Sequence, residues 1–220
     1  MSLHTVMDAA LVLILLLGLT MLSAGRLATC IRIFAIQCLV LAFMPLVTEW
    51  IHGEGVTRHA LVMLLGTISL KVLLIPWVLL RTIRTGEIHR EIEPFIGFTA
   101  SVVIGAMLAA GAFAVSARLT VPGDPPSDLL VPVALSTLMI GLLVLVSRTK
   151  AITQVLGYLV MENGIYLFGL LLLRQMPILV ELGILLDVFV GVFVMAIVVY
   201  HIRREFDHMD THVLEPAKES

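Results

Sequence analysis

The sequence predicts an all-α, polytopic transmembrane bundle of about seven helices. Three observations carry this. Of 220 residues, 60% are hydrophobic and only 14% charged, against roughly 25% charged in soluble domains. Mean hydropathy is +1.08. The apolar residues also fall into blocks close to the ~20 residues a helix needs to cross a ~30 Å hydrocarbon core. In lipid only helices and closed barrels satisfy their own backbone, and blocks of this length suit helices.

The blocks are taken in order. The first span is expected over residues 6–24; it lacks a basic leader and is long enough to cross, so it does not read as a cleavable signal. The second is expected over 31–47, the third over 60–80, the fourth over 95–115, the fifth over 129–146, the sixth over 152–173 and the seventh over 178–200. Pro76 in the third lacks the amide that would bond the Val72 carbonyl and should loosen the helix there. In the fourth, Ser101-x-x-x-Gly105 and Ala106-x-x-x-Ala110 suit close helix contact. Short links, 147–151 and 174–177, make the fifth, sixth and seventh spans antiparallel neighbours. The Pro/Gly-rich connector R-L-T-V-P-G-D-P-P-S-D divides the chain. This gives an N-terminal four-helix part (1–120), a C-terminal three-helix part (121–206) and a polar tail (207–220).

Lys and Arg set the expected orientation. Ten fall on one side, including Arg26, Arg32, Arg81, Arg148 and Lys150, and three on the other, Arg58, Arg118 and Arg174. The positive-inside rule places the N-terminus outside and the C-terminus in the cytoplasm. Net charge is −2, with nothing basic enough to suggest nucleic acid. There is no zinc-type Cys/His spacing, no phosphate loop and no nucleophile–base motif. Cys30 and Cys38, eight residues apart on one helix, read as small apolar side chains.

What remains is charge in the wrong place. Lys71, Glu162 and Asp187 each lie near the middle of an apolar block, with Glu181 nearer one surface. A charge at the bilayer centre costs roughly 2.5–3.5 kcal/mol, so each needs a partner, a wet cavity or an ion to handle. Lys71 is about 15 Å from either end of its helix, too deep to snorkel. Tyr158 and Tyr166 flank Glu162 at i−4 and i+4, Asn163 follows it, and Gln37 is a further polar residue at depth. Gly183 and Gly191 flank Asp187 at the same spacing and leave room for a helix or water. These charges serve either an ion path or a static lock between helices.

The strings G-Y-L-V-M-E-N-G-I-Y-L-F-G and E-L-G-I-L-L-D-V-F-V-G, with A-I-Q-C-L-V-L and K-V-L-L-I-P upstream, resemble the hydrogenase-4 component E family. These are membrane subunits of group 4 [NiFe] hydrogenase and formate hydrogenlyase-like complexes. The last three spans are also similar to the small K subunit of complex I and the small C component of Mrp-type antiporters. In that likeness Asp187 takes the place of the third-helix acid, while the second-helix acid would fall on Leu159, one turn before Glu162. The resemblance implies a non-catalytic chain of the cell (inner) membrane with no redox centre of its own. The [NiFe] centre and iron–sulfur clusters would sit on partner subunits, with antiporter-like subunits beside it. Lys71, Glu162, Asp187 and Glu181 would relay protons or sodium ions, with Tyr158, Asn163, Tyr166 and Gln37 in support. A purely structural adaptor is the alternative. A stand-alone transporter or retinal-type protein fits less well, because the sole buried lysine lies on the third span.

Overall fold

The structure, a computed structural model, describes residues 2–53, 55–85, 95–119 and 125–172. The seventh expected span, and with it Asp187 and Glu181, lies outside them. Among the described residues, helices account for all regular structure: α1 (Leu3–Ser23), α2 (Leu27–Ile51), α3 (Arg58–Thr67), a π-helical segment (Ile68–Leu74), α4 (Ile75–Thr85), α5 (Phe98–Ser116), α6 (Leu130–Ser147) and α7 (Ala151–Leu172). Because α3, the π segment and α4 run on as one rod, six helices among the described residues are long and apolar enough to cross a membrane. The chain is a multi-pass membrane protein.

The spans traverse alternately. At one end the α1–α2 turn, the start of α5 and the α6–α7 turn meet: Phe95 N–H donates to the Ser147 carbonyl (3.0 Å), and the Phe98 ring lies beside Gly25. At the other end Ser127 donates to Asp8 (2.5 Å) and His4 Nδ1 lies 3.2 Å from the Pro126 carbonyl. There Thr57 caps α3 with its own hydroxyl on Ala60 N–H, and itself donates from backbone and hydroxyl to the Glu49 carboxylate. Caps of this kind satisfy amides a helix start leaves open.

The tightest contact is between α6 and α7. A Cβ on Gly157 would lie 2.5 Å from Leu145 N, and one on Gly164 2.6 Å from Leu138 N. With no side chain between them the two backbones touch, as small residues allow in lipid, where hydrophobic burial gives helices little reason to associate. The antiparallel pairing expected from the short link is therefore present. On α5 the expectation holds in part. Ser101, Gly105, Ala109 and Ala112 form the buried face, whereas Ala106 and Ala110 of the second small-residue pair face outward.

The third span departs from a plain helix. Pro76 has no amide to offer, and the irregularity extends over the turn before it as the π segment. This segment carries Lys71. The span leans on α2 and contributes Ile75, Val78, Leu79 and Ile83 to a cluster with Phe34, Cys38, Leu156 and Leu159.

Candidate functional site

Four spans contribute to one polar cluster at a common depth. Ile14 is twelfth of 21 residues in α1, Gln37 eleventh of 25 in α2, and Glu162 twelfth of 22 in α7. Lys71 is twelfth of the 24 residues Ala60–Ile83. Each is near the middle of its helix, so the cluster lies at the centre of the apolar slab.

Lys71 Nζ is 3.5 Å from Glu162 Oε1, and both side chains are nearly inaccessible, at 2% and 4%. The same ammonium donates to Asn163 Oδ1 at 3.4 Å and lies 5.7 Å from the centre of the Tyr166 ring. Asn163 Nδ2 donates to Gln37 Oε1 (3.2 Å) and lies 3.4 Å from Cys38 Sγ. Gln37 Nε2 donates to the Ile14 carbonyl (3.1 Å). At an effective dielectric of ~20 the pair attracts by about 5 kcal/mol. That offsets most of the roughly 5–7 kcal/mol that two charges cost at mid-membrane, and the amide bonds supply about 1 kcal/mol each towards the rest. The 3.4–3.5 Å separations exceed those of a tight charge-assisted bond, so the ammonium is shared among acceptors that include two neighbouring residues on α7.

The structure thus brings together Lys71, Glu162, Asn163, Tyr166 and Gln37. Tyr158 does not join them: it packs half-buried with the Phe34 and Leu156 cluster. Four residues from Glu162 in either direction share a face only loosely, since four residues overshoot a turn by about 40°.

Two residues escaped the sequence. Cys38 is not merely a small apolar group, because its sulfur lies against the Asn163 amide; its spacing, one residue after Gln37, carried no signal. Arg148, assigned by sequence to a loop, is 1% exposed. Its Nη2 donates to the Leu22 carbonyl at 2.8 Å and its guanidinium lies 5.1 Å from the Phe98 ring centre. Burial pushes this group below the ordinary arginine value, and the nearby Cys30 thiol opposes the shift. Arg148 pins the α6–α7 turn to the last turn of α1, whose open carbonyls favour a cation.

No three His, Cys, Asp or Glu side chains group as a metal site among the described residues. A cleft of about 450 Å³, lined by Phe113, Ser116, Asp128 and Pro132 among others, opens between the ends of α5 and α6. It shares no residue with the charged cluster.

Over 191 residues, 86% of this chain and 85% of the relative, the sequence is 30% identical to uncharacterized protein Rv0085 of Mycobacterium tuberculosis. It is also 38% identical over 86 residues to hydrogenase-4 component E of Escherichia coli K12, and equally to that of Shigella flexneri. The chain covers 40% of the length of these two proteins and 39% of itself in the match. No family model matches the chain, and no solved structure does.

Proposed function

The chain belongs to the family of the Mycobacterium tuberculosis protein Rv0085, and on that footing we propose that it is a non-catalytic integral subunit of a hydrogenase-type membrane complex. Its part is to help couple electron transfer in partner subunits to the movement of protons or sodium ions. The likeness to hydrogenase-4 component E supports the kind of complex. A formate hydrogenlyase-like, complex I-related assembly in a bacterial or archaeal inner membrane, with antiporter-like neighbours, is the finer reading.

One observation carries the coupling role: the Lys71–Glu162 pair, buried at mid-helix with Asn163 as a second acceptor for the ammonium. When Glu162 takes a proton its charge is lost and the pair attraction goes with it. The ammonium then retains a neutral acceptor on Asn163, so the two states differ by a short shift rather than by rupture. Asp187 and Glu181 extend the relay along the chain that follows.

The test replaces Glu162 by Gln and Asp187 by Asn in the native complex, with ion translocation measured in membrane vesicles. An assembled complex that turns over but translocates several-fold less is the expected result. Translocation at the original rate in both variants would sink the relay and leave a structural adaptor.

A further inference from the structure

We infer that Gln37 and Asn163 form an amide chain of fixed polarity, anchored on the Ile14 carbonyl, that positions the Lys71 ammonium beside Glu162 and closes that flank of the cluster to protons. The inference deepens the ion-coupling reading and rests on it for its functional consequence; the geometry stands by itself.

The polarity originates at α1. A backbone carbonyl can only accept, and the helix bond from its own turn uses one of its two lone pairs. Gly18, one turn on, leaves the other side open: a Cβ there would already lie 3.8 Å from Gln37 Nε2. The nitrogen end of the Gln37 amide must therefore face Ile14, as it does at 3.1 Å. Its oxygen then points the opposite way and must meet a donor, which is Asn163 Nδ2 at 3.2 Å. The other hydrogen of that nitrogen has the Cys38 sulfur at 3.4 Å. The same sulfur lies 3.8 Å from Asn163 Oδ1 and so suits either end of the amide; it is the bond to Gln37 that turns the Asn163 oxygen to α3–α4, and there stands Lys71 Nζ at 3.4 Å. Reversing either amide would set oxygen against oxygen at one end and N–H against N–H at the other. An acceptor-only group at one end thus dictates an acceptor for the ammonium at the other, across three spans. Gln37, Asn163 and Lys71 are 1%, 0% and 2% exposed, so bulk water does not compete for these bonds.

The chemistry sets a direction as well. An ammonium has hydrogens to give and no lone pair. An amide nitrogen has no basic lone pair near neutral pH, so neither Asn163 nor Gln37 takes a proton from Lys71 and passes it on. Proton traffic through the cluster runs by way of Glu162, and the amide branch holds without conducting. Gln37 and Asn163 are positioning residues in this scheme.

The sequence makes the test clean, because Asn163 is the sole asparagine and Lys71 one of three lysines. The full chain is labelled with 13C,15N-asparagine and 15Nζ-lysine and placed in lipid bilayers for solid-state NMR. A through-space correlation between Asn163 Cγ and a lysine Nζ, absent in Lys71→Met, is expected in the wild type. It should lose more than half its intensity in Gln37→Leu and survive in Gln154→Leu. Full intensity in a folded Gln37→Leu would overturn the inference. Should Gln37→Leu not fold, wild type labelled at glutamine Cδ and asparagine Nδ2 decides. Asn163 Nδ2 closer to Gln37 than to Lys71 upholds the polarity, and the reverse order refutes it. In vesicles carrying the native complex, Gln37→Leu should slow translocation about tenfold, as a small misplacement of a reacting group can. Unchanged translocation there, with Glu162→Gln impaired, sinks the positioning role alone. Unchanged translocation in Glu162→Gln and Lys71→Met sinks the coupling reading and leaves the NMR result to stand by itself.

Discussion

Lys71 and Arg148 are both buried cations, and their surroundings assign them different work. Lys71 faces a carboxylate across 3.5 Å; Arg148 faces a helix end and an aromatic ring. Removing one member of a buried pair strands the other, at about 3–5 kcal/mol. Lys71→Met should therefore destabilise the chain by about 3 kcal/mol in unfolding measured in bicelles, and adding Glu162→Gln should restore much of that loss. Additive losses in the double variant would mean that the two groups do not sense each other. Among the described residues Arg148 has no such partner to strand. Arg148→Ala opens a cavity and frees the Leu22 carbonyl, for about 2–4 kcal/mol, whereas Arg148→Met keeps the volume and should cost less. Equal losses would mean that the guanidinium, not its bulk, holds the turn. From sequence, Lys71 and Glu162 stand out because charge is rare in lipid. Arg148 does not, because at the end of a span it resembles any headgroup-level arginine.

The elements differ in what fixes them. The α6–α7 pair depends on absent side chains, so Gly157→Val should force the backbones apart at a cost of about 1–3 kcal/mol. Gly169, with nothing within 4 Å of a Cβ there, should accept alanine without loss. Unfolding in bicelles compares the two, and an inert Gly157→Val would mean that the close approach is not needed. The π segment matters for register. One residue in a helix is worth about 100°, so deleting Leu73, which is 62% exposed, should turn Lys71 away from α7. The Lys71–Asn163 NMR correlation should then vanish while α4 stays packed through Ile75 and Leu79. A surviving correlation would show that the span adjusts elsewhere. Pro76 announces a fault in the sequence, but no local pattern encodes its spread over the preceding turn as the π segment, which packs on α2.

At the scale of the molecule, the six crossings among the described residues alternate between two ends, one bearing Arg26 and Lys150 and the other Val56 and Asp128. The charge bias predicts that the first end faces the cytoplasm. A membrane-impermeant thiol reagent should then label Val56→Cys in intact cells and Arg26→Cys only in inverted vesicles, with buried Cys30 and Cys38 silent in both. The opposite pattern would reverse the orientation. Sequence by itself determined the six described spans, most ends within a few residues, because lipid demands continuous apolar runs and a self-satisfied backbone. It also picked out Lys71, Glu162, Asn163, Gln37 and Tyr166, because polar groups in such runs are conspicuous. Only the tertiary structure decided that Lys71 meets Glu162, that Tyr158 packs elsewhere, that Cys38 and the Ile14 carbonyl take part, and that Arg148 is interior. Those facts depend on how helices distant in sequence are rotated against each other. That rotation is set by close contacts such as Gly157 on Leu145 and by a π turn of unequal pitch, neither of which has a signature within one span.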